Sequence, residues 1–163
     1  MKNLWVMLPV LLLIIGCSED NILSYEDQLK KDKAAIDKYL DKNGIVAIKD
    51  TSGLRIVVHT PGTGLFPVAS SRMTVKYKGK FLNGVVFDQN DETSSGLPVP
   101  LSGTLADLIP GWQIAFGKYI AKGGKATFFV PSGLGYGRNS SGGVPGNSNL
   151  MFEVELIGFV NGI

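Results

Sequence analysis

Histidine and cysteine occur once each in the 163 residues, as His59 and Cys17. A single histidine gives little support to a histidine-based metal cluster or a Ser/His/Asp constellation, and a strand-face position is the simpler reading. A single cysteine excludes an internal disulfide. Charge of neither sign dominates, with 16 Lys and Arg against 14 Asp and Glu, so there is no electrostatic footprint for nucleic acid. No apolar run reaches the roughly 20 residues that a membrane-spanning helix needs. Neither an internal repeat nor a heptad pattern is present. Gly133, Gly135 and Gly137 are spaced too tightly for a dinucleotide fingerprint and no helix signal follows them, so they read as loop glycines. What is there is apolar: 44% hydrophobic against 18% charged residues, enough for one sizeable core and too little for two comfortable domains.

The N-terminus opens with Lys2, an apolar run over residues 4–15 broken by Pro9, then Gly16, Cys17 and the polar Ser18-Glu19-Asp20. This is a signal-peptide layout. The stretch Leu13-Ile14-Ile15-Gly16-Cys17 resembles a bacterial lipobox, which implies that Cys17 is lipidated and becomes the first residue of the mature protein; Ile14 and Ile15 depart from that motif's commonest residues. Ordinary signal cleavage is the alternative. Several acyl chains at about 0.8 kcal/mol per buried methylene would make membrane attachment effectively stable. Glu19-Asp20 reads as a solvated linker or as a surface-export tag. The expectation is an exported, membrane-anchored lipoprotein on the periplasmic or cell-surface side, at the outer membrane. The division expected is a lipoprotein signal peptide over 1–16, a linker and amphipathic helix over 17–52, and a folded domain over 53–163.

Residues 24–42 have helical periodicity, with Ser24 and Asp27 in capping-box spacing, Leu29, Ile36 and Leu40 on one face, and Asn43-Gly44 as the stop. Lys and Asp dominate the other face, which reads as solvated, and the helix as a spacer or brace. From Gly53 the period becomes two. Leu54, Ile56 and Val58 alternate with Arg55 and His59 before a Pro61-Gly62 turn. Met73, Val75, Tyr77 and Phe81 alternate with Thr74, Lys76, Lys78 and Lys80, so one face is buried. Asn83-Gly84 is a hairpin turn, and the chain returns as a strand over 85–87. A polar excursion follows Asp88, and Pro98 and Pro100 flank Val99 in an edge strand or irregular segment. Pro110 suits the first turn of a short helix presenting Trp112, Ala115 and Phe116, with Gly117 placed to end it. Strands are expected over 126–130, stopped by Pro131, and over 150–160, where Leu150, Phe152, Val154 and Leu156 share a face. The loop between them, rich in Gly, Ser and Asn, has the length that often carries function. The simplest architecture is α+β: an antiparallel sheet curled around one short helix, with Trp112 under the concave face.

The strings Val75-Lys76-Tyr77-Lys78-Gly79, Asn83-Gly84-Val85-Val86-Phe87-Asp88, Leu108-Ile109-Pro110-Gly111-Trp112, Gly135-Tyr136-Gly137 and Leu150-Met151-Phe152-Glu153-Val154-Glu155-Leu156 resemble, in that order, the FKBP-type peptidyl-prolyl isomerases over residues 53–159. The resemblance implies a half-barrel fold and a pocket for proline. Trp112 would be its floor, Tyr77, Phe87, Ile109, Val144 and Phe152 its walls, and Leu108 its rim. Tyr136 would aim its hydroxyl at a substrate carbonyl, the Ile109 N–H would meet another, and Asp88 would lie beside the rotating amide, bonded to Tyr77. Residues 138–143 would overhang the pocket. Taken singly, these aromatics read as core rather than pocket, with a turn cap as the alternative for Asp88; taken as an ordered set with Tyr136-Gly137 and Asp88, they read as the pocket.

Two departures concern pocket shape. Leu97 or Val99 stands where the family often has a further aromatic, and Gly146 follows Pro145 where a second proline is common, which would loosen that wall. The resemblance implies no cofactor and no metal, only proline-containing polypeptide clients met by a monomer. The activity implied is cis/trans rotation of Xaa-Pro bonds in exported proteins; the alternative is a module that holds proline segments without catalysis.

Overall fold

The structure, a computed structural model, describes residues 23–90 and 101–162. The expected signal peptide, Cys17, Leu97, Pro98 and Val99 lie outside these residues. The described chain runs α1 (Tyr25–Lys42), β1 (Ile48–Lys49), β2 (Arg55–Thr60), β3 (Ser71–Phe81), β4 (Val86–Gln89), α2 (Pro110–Lys118), β5 (Lys125–Val130) and β6 (Leu150–Asn161). The strands form one antiparallel sheet in the order β1-β2-β5-β6-β3-β4.

Alternation decides which side chains face inward. On the concave face Leu54, Ile56, Met73, Val75, Phe128, Leu150, Phe152 and Leu156 close around Trp112, Ala115 and Phe116 of α2. Pro110 at the first helical position supplies a preset φ and omits an N–H that would have no helical acceptor. Gly111 lets the helix come close, because a Cβ there would meet Val130 Cγ1 at 2.6 Å. The helix does not end at Gly117 as its sequence suggests. It continues to Lys118 and is capped by Tyr119, whose N–H bonds the Ala115 carbonyl; the left-handed glycine comes later, at Gly123, with φ 79°.

The convex face is covered as well. Ser24 accepts the Asp27 N–H at 3.1 Å and starts α1, whose Ile36 and Leu40 pack on Phe129 and Met151. Strand β5 is therefore used on both sides, with Ala126, Phe128 and Val130 in the concave core and Phe129 under α1, while Thr127 stays partly exposed beside His59. Full burial of an Ile or Leu is worth about 1.5–3 kcal/mol, so α1 is fastened by its apolar face first. Its polar face is not wholly solvated. Asp37 grips Arg55 through two bonds, at 2.8 and 3.0 Å, and Arg55 is only 4% exposed. Arg55 points away from the concave core, as the alternation requires, but into the seam beneath α1. That guanidinium holds the Asp37 carboxyl below its ordinary value. Among the described residues no helix is long and apolar enough to cross a membrane.

Candidate active site

A cavity of about 110 Å³ opens at the concave edge of the sheet, lined by Tyr77, Asp88, Leu101, Leu108, Ile109, Trp112, Tyr136 and Phe152. It is well below the roughly 300–1,000 Å³ of pockets that take drug-sized ligands, and suits one small apolar ring. Five elements converge on it. β3 supplies Tyr77, β4 Asp88, β6 Phe152, the start of α2 Ile109 and Trp112, and the loop after β5 Tyr136.

The aromatic rings are set edge to face. Trp112 lies 5.3 Å from Tyr77 and 5.2 Å from Phe152, centroid to centroid, with interplanar angles of 84° and 87°. Such pairs add about 0.5–1.5 kcal/mol beyond area burial, which holds the tryptophan at a fixed tilt. Gly79 makes the packing possible: a Cβ on it would stand 2.7 Å from Phe87 Cζ and 3.0 Å from Phe152 Cε1.

Few polar groups reach the cavity. The Tyr77 hydroxyl donates to Asp88 Oδ2 at 2.7 Å. Burial and then the Asp88 carboxylate raise Tyr77 above its ordinary value, so it stays a donor. Burial, with a smaller contribution from Asp88, likewise raises Tyr136. The Tyr136 hydroxyl makes no hydrogen bond among the described residues, although its side chain is part of the cavity wall. The Ile109 N–H, just ahead of the first turn of α2, is similarly without a hydrogen bond there. Two donors of different kinds are thus left for an incoming chain. Trp112 Nε1, buried, has no partner among the described residues either.

Of the residues expected at the site, Tyr77, Asp88, Leu108, Ile109, Trp112, Tyr136 and Phe152 come together. Phe87 and Val144 do not touch the cavity directly. Phe87 packs behind Phe152, at 5.6 Å and 85°, and against Phe81, while Val144 is buried in the main core. Phe87 thus backs the wall that Phe152 presents to the cavity. Leu101 lines the cavity and was not singled out in the sequence. Its N–H bonds the Met73 carbonyl at 2.8 Å, which ties it to β3, and no periodicity in the surrounding chain marks it. Arg138, expected to overhang the cavity, instead lines a separate groove with Tyr25, Gln28 and Ser132 at the N-terminal end of α1. Gly146 does not loosen the loop: a Cβ built on it would run into the Arg138 carbonyl, so the loop closes on itself through a residue without a side chain. His59 sits on an exposed strand face, 2.9 Å from Thr127 Oγ1.

Comparison with known proteins gives a concordant picture. A family model described as FKBP-type peptidyl-prolyl cis-trans isomerase matches residues 65–157. The FKBP-type peptidyl-prolyl cis-trans isomerase FkpA of Buchnera aphidicola from Acyrthosiphon pisum is 40% identical over 115 residues, covering 71% of this chain and 46% of the relative. The crystal structure of FkpA from Escherichia coli superposes with a TM-score of 0.69 at 32% identity, over 83% of this chain and 62% of that one. A peptidyl-prolyl cis-trans isomerase from Pseudomonas syringae gives a TM-score of 0.67 at 28% identity, over 85% and 98%. The chain spans about half the length of the curated relatives it matches, 46% and 52% of the two from Buchnera. On the matched stretch, the fold and the converging cavity together, the chain belongs to the FKBP-type peptidyl-prolyl cis-trans isomerase family.

Proposed function

We propose that this protein catalyses cis/trans rotation about Xaa-Pro bonds in polypeptide clients. The observation that carries the reading is a ring-sized apolar cavity floored by Trp112, with two unbonded donors, the Tyr136 hydroxyl and the Ile109 N–H, among its lining residues. The proline ring rests on Trp112 between Tyr77 and Phe152, with Phe87 backing Phe152, and Leu108 and Leu101 at the rim. Tyr136 and Ile109 hold the flanking carbonyls, and Asp88 fixes the Tyr77 phenol beside the rotating amide.

The chemistry asks for no nucleophile. A planar amide owes its stability to a charge-separated resonance form that is lost on twisting, so the twisted amide is the less polar state. A site that strips water from the amide therefore disfavours the planar form relative to the twisted one. The uncatalysed barrier is about 18–20 kcal/mol, and a ten-thousandfold acceleration requires only about 5.5 kcal/mol. Burying on the order of 100 Å² of prolyl ring adds about 2.5 kcal/mol of binding, which accelerates rotation only to the extent that the twisted form gains more. Donors placed where the carbonyl arrives on twisting act on that difference.

The proposal extends to location. The apolar N-terminal run and Cys17 support export and a lipid anchor, with the domain working outside the cytoplasm on newly exported chains. Mass measurement of the mature N-terminus checks this: a species beginning with acylated Cys17 is expected, and an unlipidated chain starting elsewhere rejects the anchor. For the activity, a protease-coupled assay on a proline-containing peptide is run with the full chain and with Asp88→Ala. Wild-type protein should accelerate the slow phase, and the variant should do so about tenfold less. Equal rates with and without wild-type protein would leave a module that holds proline segments without turning them.

A further inference from the structure

Helix α1 and the turn that carries Tyr136 meet through a buried carboxylate. Asp32, on the buried face of α1 one and two turns before Ile36 and Leu40, is 2% exposed, and Ser132, just after β5, is 1% exposed. Asp32 Oδ2 accepts the Ser132 N–H at 2.9 Å and the Ser132 hydroxyl at 2.6 Å, and Oδ1 accepts Gln28 Nε2 at 2.7 Å. A carboxylate this deep is tolerated only when hydrogen-bonded, and three donors satisfy both of its oxygens. The Ser132 carbonyl then accepts the N–H groups of Gly135 at 3.0 Å and Gly137 at 2.8 Å, the residues on either side of Tyr136. Tyr25 adds a second point of contact, its ring lying where a Cβ on Gly133 would be, 2.6 Å from Cε2.

We propose that Asp32 is a positioning residue for the isomerase reaction: through Ser132 it fixes the turn that holds the Tyr136 phenol at the cavity, which makes α1 part of the working unit. The proposal rests on the isomerase reading above. Its logic is geometric. Tyr136 is 40% exposed and its hydroxyl has no partner among the described residues, so its place is set by its backbone. A hydrogen bond weakens steeply with distance and angle, and a displacement of about 1 Å at a substrate-holding group is enough to lose most of it. Losing the Asp32 bonds releases the Ser132 end of a turn whose other end is the Asn147 N–H on the Gly137 carbonyl at 2.8 Å.

The test is a double-mutant cycle on the full chain. Asp32→Ala should lower kcat/KM about three- to tenfold in the wild-type background and less than twofold in the Tyr136→Phe background, because the hydroxyl being positioned is then gone. Ser132→Ala, which keeps the backbone bond to Asp32, should act in the same direction with a smaller loss, and serves if Asp32→Ala fails to fold. Amide hydrogen exchange at Gly135 and Gly137 gives a readout independent of turnover: exchange should quicken about tenfold in the variants while β3 amides hold their rates. Equal losses in both backgrounds, or unchanged exchange at Gly135 and Gly137, would overturn the positioning role. An inactive wild-type chain would instead sink the isomerase reading, and the exchange data would still decide whether Asp32 secures the turn.

Discussion

Tyr136 contributes to this site one oxygen, and its removal is the sharpest residue-scale test. Tyr136→Phe keeps the ring in the cavity wall and deletes the donor, so kcat/KM on a proline peptide should fall about three- to tenfold, the value of one net hydrogen bond. Because burial and then Asp88 lift this phenol above its ordinary value of 10.0, the donor stays protonated through neutral and mildly alkaline pH. The wild-type pH profile of kcat/KM should therefore be flat from about 7 to about 9. An alkaline fall within that range would show the tyrosine ionising early. Gly79 bears on the site in the opposite way, by what it omits. Gly79→Ala would drive a methyl into Phe87 and Phe152, and overpacking of this kind should lower stability by about 1–3 kcal/mol in urea unfolding and weaken peptide turnover with it. The ordered aromatic strings made most of this site legible from the chain. They could not separate residues that face the cavity from those one row behind it, because Phe87 and Phe152 share a face of the sheet and only the third dimension puts one in front. Leu101 escaped because its place comes from one backbone bond to β3 rather than from any pattern.

At the scale of elements, strands with alternating faces and the capped α1 were legible because burial imposes the period directly. β1, two residues long, has no period to read, and exists as the partner of Ile56 and Arg55 on β2. Which face of α1 is solvated was also hidden. Charged residues on a helix read as surface, yet Asp37 meets Arg55 across the seam from 18 positions away, and nothing local announces that pairing. The pairing yields a prediction for the element. Asp37→Ala leaves a guanidinium that is 4% exposed without its carboxylate, and should destabilise the fold by about 1–3 kcal/mol. Asp37 is itself 28% exposed, so the loss falls below that of a fully buried pair. Urea midpoints at neutral pH measure it. Because Asp37 lies outside the cavity and the Asp32–Ser132 contact, kcat/KM in native buffer should be unchanged.

For the molecule as a whole, Asp50 joins parts that no single element contains. Its carboxylate, 8% exposed, accepts Lys118 Nζ at 2.8 Å and the Tyr119 hydroxyl at 2.7 Å from the end of α2, and the Ser52 N–H at 2.9 Å from the loop before β2. The helix carrying Trp112 is thereby tied at its far end to the sheet's first hairpin. The Lys118 bond first, then those from Ser52, hold the Asp50 carboxyl far below its unfolded value of 3.8. A depressed carboxylate contributes stability that is present above the unfolded value and lost as pH falls toward the folded one. Asp50 in turn raises Lys118 and Tyr119, and a raised base or phenol contributes stability that is present below its unfolded value and lost as pH rises through the folded one. One cluster thus weakens the fold at both extremes. Unfolding free energy should hold a plateau from about pH 5 to about pH 9, decline below about pH 4 and decline again above about pH 10. Asp50→Asn should lower the plateau by about 1–3 kcal/mol and flatten both limbs, since the neutral side chain neither protonates in acid nor retains the lysine. Urea midpoints across pH 3 to 11 decide this, and an acid limb as steep in the variant as in the wild type would assign the pH dependence to carboxylates elsewhere, Asp37 first among them.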